Sequence, residues 1–247
     1  TLGTTTSQDI AITDNDFPSV DLSVSANAGT EAAQTVVTVT ATSSQAVTGN
    51  QTIDLGISGT GVTATDYALS NTTITILNGA TTGTVTFTVQ DDAVIEGTET
   101  ATLTISNPSS GLTLGTTTSQ DIAITDNDMA GFTLVESGGN SVVQESGTTD
   151  GFTVVLDAQP TADVTFAISN DDLTEATVSP ASLTFTSANW NVPQTVTMTG
   201  VDDAVNDGDI ISTITVDPAS GDAGFNGLAN QTVMVTTLDD EGPITPT

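Results

Sequence analysis

The sequence predicts an all-β protein of tandem antiparallel β-sandwiches, and three observations predict it. Apolar and polar residues alternate with period two over many short runs, the pattern of half-buried strands. Gly, Asn, Asp and Pro separate those runs, as turns require. The opening sixteen residues, TLGTTTSQDIAITDND, recur unchanged at Thr113–Asp128, an offset of 112 residues. An internal repeat of that size marks a modular array.

The elements follow in order. Residues 1–16 read as the terminal strand of a preceding copy, or as a donor strand that completes a neighbour's sheet. Residues 17–128 read as one domain, 129–242 as a second, divergent one, and 243–247 as a linker or tail. In the first domain, strands are expected at Val20–Ser25, Gln34–Thr42, Gln51–Ile57, Thr72–Leu77, Gly83–Val89, Glu99–Ser106 and Thr118–Thr125. Val37, Val39 and Ala41 share one face, as do Val85, Phe87 and Val89, and Ala101, Leu103 and Ile105. In the second domain the same pattern runs through Phe152, Val154 and Leu156; Val164, Phe166 and Ile168; Leu183 and Phe185; Val196 and Met198; and Val233 and Val235. Thr fills most intervening positions, which suits exposed strand faces. Seven strands per hundred residues point to a seven-stranded, Ig-like sandwich in each domain.

Composition bounds the function. The 247 residues include 31 Asp and Glu and no Lys, Arg or His, a formal net charge of −31. Nucleic-acid binding is excluded, because phosphate contacts need Lys and Arg. Direct docking on anionic lipid is disfavoured on the same ground, and no apolar run is long enough to span a membrane. With no Cys there are no disulfides and no thiolate metal sites. No signal peptide is visible at Thr1, and the chain reads as an internal piece of something longer. The usual nucleophile triads lack their His or Lys partners, so no enzyme activity is expected. Trp190 reads as packing beside a strand rather than a sugar-stacking platform. Asn50, Asn71 and Asn230 head N-x-Ser/Thr sequons, which a Thr-rich chain produces easily.

The acids are clustered. In DDAVIEGTET, Asp91–Thr100, four carboxylates fall within nine residues. Others gather at Asp66 and Asp126/Asp128, and in the second domain at Asp171, Asp172 and Glu175, at Asp202–Asp209 and at Asp239–Glu241. All lie at strand ends. Two carboxylates about 4 Å apart repel by roughly 4 kcal/mol at an effective dielectric of 20, and no basic side chain exists to offset this. Ca²⁺ is the expected counter-ion, since it takes six to eight oxygen ligands in flexible geometry. Zinc and copper would want His or Cys.

These residues resemble a known family. The run from Asp66-Tyr67 through TITILNGATTGTVTFTVQDDAVIEGTETATLTISNP to ITDND is similar to a Calx-beta domain, a calcium-binding β-sandwich of sodium–calcium exchangers, an integrin subunit and long bacterial surface proteins. The resemblance covers nearly all of 17–128. It implies calcium ligands at Asp66, Asp91, Asp92, Glu96, Glu99, Asp126 and Asp128, with Glu31 as the early acid. In the second domain it implies Asp202, Asp203 and Asp207, with Ile210 at the Glu99 position and Asp209 one residue early. Asp171 or Asp172 stands in for the missing Asp-Tyr pair, Glu145 for the early acid, and Asp239, Asp240 and Glu241 for the terminal ones.

The expectation is therefore a structural and adhesive calcium-binding module of a long extracellular, bacterial surface protein, stiffened by Ca²⁺ at its acidic loops. Its expected partners are neighbouring repeats or subunits of the same protein. A second reading is a filament or surface-layer subunit assembled by strand donation through residues 1–16. A third is calcium-dependent recognition of glycans on another cell surface.

Overall fold

The computed structural model describes Ile10 and residues 16–241. The readings for the rest of 1–16 and for 243–247 lie outside the described residues. The chain divides into two compact units. One holds residues 1–92 and 97–126, the other residues 93–96 and 127–247.

Among the described residues the first unit has ten strands: β1 (Ser19–Val24), β2 (Ala28–Thr30), β3 (Val36–Ser43), β4 (Gln51–Thr60), β5 (Tyr67–Leu69), β6 (Thr73–Ile76), β7 (Thr82–Val89), β8 (Glu99–Ser106), β9 (Thr113–Leu114) and β10 (Ser119–Thr125). They form two five-stranded sheets, β5-β7-β3-β1-β9 and β2-β10-β8-β4-β6. Pairing is antiparallel except for β1 with β9 and β2 with β10. Val37, Val39, Ala41 and Phe87 of one sheet and Ile53, Leu103, Ile122 and Ile124 of the other, each wholly buried, make one core. Each of these side chains other than Ala41 contributes about 1.5–3 kcal/mol of burial. Tyr67 stacks on Phe87 with ring centroids 5.3 Å apart.

Among the described residues the second unit has nine strands: β11 (Phe132–Glu136), β12 (Ser141–Gln144), β13 (Thr149–Leu156), β14 (Val164–Asn170), β15 (Ala176–Ser179), β16 (Ser182–Phe185), β17 (Gln194–Gly200), β18 (Ile210–Ser220) and β19 (Gln231–Leu238). The sheets run β11-β13-β17-β15 and β12-β19-β18-β14-β16. This is the first unit's order with β9 left out, and β12 runs parallel to β19 as β2 does to β10. Phe166 sits between Phe132 and Phe185, edge to face, at 4.8 and 5.8 Å. Trp190 packs against this core.

The all-β sandwich expectation holds, and every alternating apolar set named from the sequence is buried. The strand counts exceed seven. In the first unit the additions are β2, β5 and β9, two or three residues each, too short to display alternation. The eleven-residue β18 escaped the reading because Asp217 and Pro218 interrupt its pattern. Pro218 is tolerated there because β19 pairing stops at Val216, so the missing N–H faces no partner on that side.

One crossing is packed in opposite ways in the two units. By register, Gly29 corresponds to Val143 and Val89 to Gly200. A Cβ on Gly29 would meet Val89 Cγ2 at 2.8 Å, and one on Gly200 would meet the Gln144 carbonyl at 2.0 Å. Each unit needs its glycine so that the short strand before Glu31 or Glu145 can lie against the sheet.

Candidate metal centre

Each unit gathers carboxylates where its short parallel strand meets the end of its last strand. In the second unit β12 pairs with β19 up to Gln144 opposite Leu238. The next N–H, that of Glu145, donates to the Leu238 carbonyl at 3.2 Å. This fixes Glu145 beside the chain that continues into Asp239, Asp240 and Glu241. Glu145 is 2% exposed. A turn held by Asn170, whose amide donates to the carbonyls of Asp172 and Ala176 at 2.7 and 2.8 Å, sets Glu175 at the start of β15, 4% exposed. The Glu175 carbonyl accepts the Val201 N–H at 2.8 Å, just ahead of Asp202 and Asp203.

The carboxylates converge. Oxygens of Glu145, Glu175 and Asp207 lie within 4.8 Å of one another, as do those of Glu145, Asp239 and Glu241, and those of Asp202, Asp240 and Glu241. Glu145 is common to two of these groups and Glu241 to two. One oxygen each of Glu145, Glu175 and Glu241 is buried with no hydrogen-bond partner among the described residues.

Electrostatics follow from burial without cations. Desolvation, then the charges of Asp207, Asp172, Asp203 and Asp239, push the Glu175 carboxyl up. Desolvation likewise raises Glu145, with Asp239, Asp203 and Asp207 adding to it and a hydrogen bond from Glu241 opposing it. Glu241 is pushed up to about 7, by desolvation first and then by its hydrogen bonds with Asp239 and Glu145. The Glu241 N–H, then that of Gly208, hold Asp239 below its usual range despite burial.

The sequence-predicted residues divide accordingly. Glu145, Asp202, Asp207, Asp239 and Asp240 come together, and Asp203 acts on the cluster through its charge. Asp209 is exposed and accepts the Asp239 N–H at 3.3 Å. Asp171 is exposed, and its Oδ1 accepts the Thr213 N–H at 2.7 Å. Asp172 caps Thr174, whose hydroxyl and N–H hold its carboxyl low. Neither stands where Asp66 stands. That place belongs to Glu175: the Asp66 carbonyl accepts the Gln90 N–H at 2.8 Å, as the Glu175 carbonyl accepts that of Val201. Glu175-Ala176 is the counterpart of Asp66-Tyr67, and the changed pair hid it from a motif search.

In the first unit the Glu31 N–H donates to the Thr125 carbonyl at 3.2 Å, the same bond that Glu145 makes. Oxygens of Glu31 and Asp91 lie within 4.8 Å of each other, and so do those of Asp66 and Glu99. Glu31, Asp66 and Glu99 are 1%, 2% and 5% exposed. Asp66 accepts from the Thr63 and Thr65 hydroxyls at 3.0 and 3.1 Å and from the Thr63 N–H. Asp92 and Asp126 are half-buried. Glu96 and Asp128, also half-buried, fall in the segments that group with the second unit.

The donor set fits Ca²⁺. Oxygens that share one Ca²⁺ at about 2.3–2.6 Å lie no more than about 5 Å apart, and the groups above meet that bound. Every side-chain donor is oxygen, which suits a hard cation and not zinc or copper.

A scan against protein-family models matched none, and a search of curated proteins matched none. Solved structures similar to this chain include CBD12 from CALX1.2, at 15% identity over 84% of this chain and 95% of that one, TM-score 0.37. The calcium binding domain CBD12 of CALX1.1 matches at 17% identity over 77% of each chain, TM-score 0.37. Domains 4 and 5 of the S-layer protein SbsC match at 14% identity over 75% of this chain and 77% of that one, TM-score 0.33. Among the described residues no helix is long and apolar enough to cross a membrane.

Proposed function

We propose that this chain is a calcium-binding, non-enzymatic repeat module of an extracellular surface protein, and that Ca²⁺ holds the acidic end of each sandwich together. The observation that carries the reading is the group of buried carboxylate oxygens on Glu145, Glu175 and Glu241 that no hydrogen bond satisfies among the described residues, in a chain with no basic side chain. A buried charge without a partner is costly, and a divalent cation supplies the missing partner. Glu145, Glu175, Asp207, Asp239 and Glu241 would hold it in the second unit, and Glu31, Asp66, Asp91 and Glu99 are the candidates in the first. The bound ion supplies positive charge and fixes the loops. The millimolar calcium outside cells suits the modest affinities of extracellular modules. Partners would be neighbouring repeats of the same protein.

Thermal unfolding in millimolar Ca²⁺, in Mg²⁺ and in excess chelator tests this. A site at one hundred times its Kd adds about 2.7 kcal/mol, so the midpoint should rise by several degrees, selectively with Ca²⁺. An unchanged midpoint would overturn the reading.

A further inference from the structure

Beyond ion binding, we infer that Thr1–Asp16 is a closing segment for a second copy of the first-unit sandwich and cannot serve the unit that follows it. Its sixteen residues are identical to Thr113–Asp128, the stretch that supplies β9 and β10. There β10 lies inside its sheet, between β2 and β8, and its Ile122 and Ile124 are wholly buried. A sandwich without this stretch loses its hold on β2 and opens its core. The matching residues are Ile10 and Ile12, and Ile10 is 85% exposed.

Geometry excludes insertion in cis. The chain from Ser19 to Thr30 runs parallel alongside Thr113–Thr125, with Ser19 opposite Thr113 and Thr30 opposite Thr125. To replace Thr125, Thr13 would have to sit beside Thr30 while Ser19 stayed at the opposite end. The six residues from Thr13 to Ser19 reach about 20 Å at full extension, whereas Ser19 and Thr30 stand at opposite ends of an eleven-residue run through β1 and β2. Six residues cannot retrace eleven. The slot in this chain's own first unit is also held by its covalent segment at high effective concentration. The acceptor is therefore a copy of residues 17–112 that lacks its own closing segment.

The missing Lys and Arg make a direct test available. In a chain of residues 16–247, Ser110→Arg in an exposed turn creates one tryptic site, which frees the slot from its covalent strand. The cut protein is unfolded and refolded with a tenfold excess of the uncut full chain. With equal contacts, mass action gives about nine-tenths of the slots to residues 1–16. Native mass spectrometry then shows fragment 16–110 on the full chain and fragment 111–247 released. A full chain carrying Ile10→Asp and Ile12→Asp should capture less than a tenth as much. Equal capture by both, or return of the fragment only to 111–247, overturns the inference. A second variant needs no refolding: residues 17–112 joined directly ahead of Thr1 should add one further cooperative unit to the calorimetric trace. The same pair of substitutions should abolish that unit, and its persistence would overturn the inference.

Discussion

Ile210 stands in the second sandwich where Glu99 stands in the first. Glu99 opens β8 opposite Ile124, and Ile210 opens β18 opposite Thr237. In both units the next residue of the last strand, Thr125 or Leu238, takes the N–H of the early glutamate. The second unit has thus exchanged a buried carboxylate for an apolar side chain while keeping the frame around it.

Restoring the acid tests what the exchange did. Ile210→Glu adds like charge on the side of Glu175, as Glu99 lies beside Asp66, so in chelator the second unit should unfold at a lower temperature. In calcium it adds an oxygen ligand, so the calcium-induced rise should exceed that of the parent. Calorimetry in both buffers reads the two effects. A variant that is merely less stable in both would show that the position lies outside the ion's reach.

Glu175 and Asp171 separate a ligand from a bystander. Glu175→Gln removes a buried charge, so the midpoint in chelator should rise and the calcium-induced increment should shrink. Asp171→Asn keeps an oxygen for the Thr213 N–H and should leave the increment unchanged. Isothermal titration with CaCl₂ on each variant checks the pair. A reversed ranking would return the site to the residues that the sequence alone nominated.

What the sequence displays of the candidate site, and what it hides, has physical causes. Glu31, Asp66, Asp91 and Glu145 can be named as candidates from the sequence because acids at strand ends stand out in a chain without cations. The cores were legible because Val37 or Phe166 repeats at the period of a strand. Glu175 was not, since its place is set by the pairing of Ala176 with Gly200 rather than by spacing from a motif. The short strands β2 and β12 were not either, because three or four residues carry no period. Their position depends on the parallel partner at the far end of the chain.

Gly200 should be intolerant of a side chain for a reason visible only in the fold. A Cβ there would lie 2.0 Å from the Gln144 carbonyl, and backbone cannot give way as a flexible side chain does. Gly200→Ala should cost about 1–3 kcal/mol, the usual range for overpacking. It should also displace Glu145 and so weaken the calcium response. Chemical denaturation with and without calcium reads both. An effect on stability alone would mean that β12 shifts without moving Glu145.

The metal-free chain should show an inverted pH dependence. Glu241 titrates near 7 in the folded state, and Glu145 and Glu175 also lie above the ordinary 4.5. The folded second unit therefore binds more protons than the unfolded chain between about 4.5 and 7, and stability falls as pH rises through that window. Asp239 and Asp172, held low, act in the opposite sense only below their ordinary 3.8. In chelator the midpoint should climb as pH drops from 8 to 5. In saturating calcium the ion replaces the proton, so the climb should flatten or reverse. Melting curves across that range with the Glu241→Gln variant alongside decide it: the variant should lose most of the chelator-state dependence, and a slope identical to the parent's would remove Glu241 as its source.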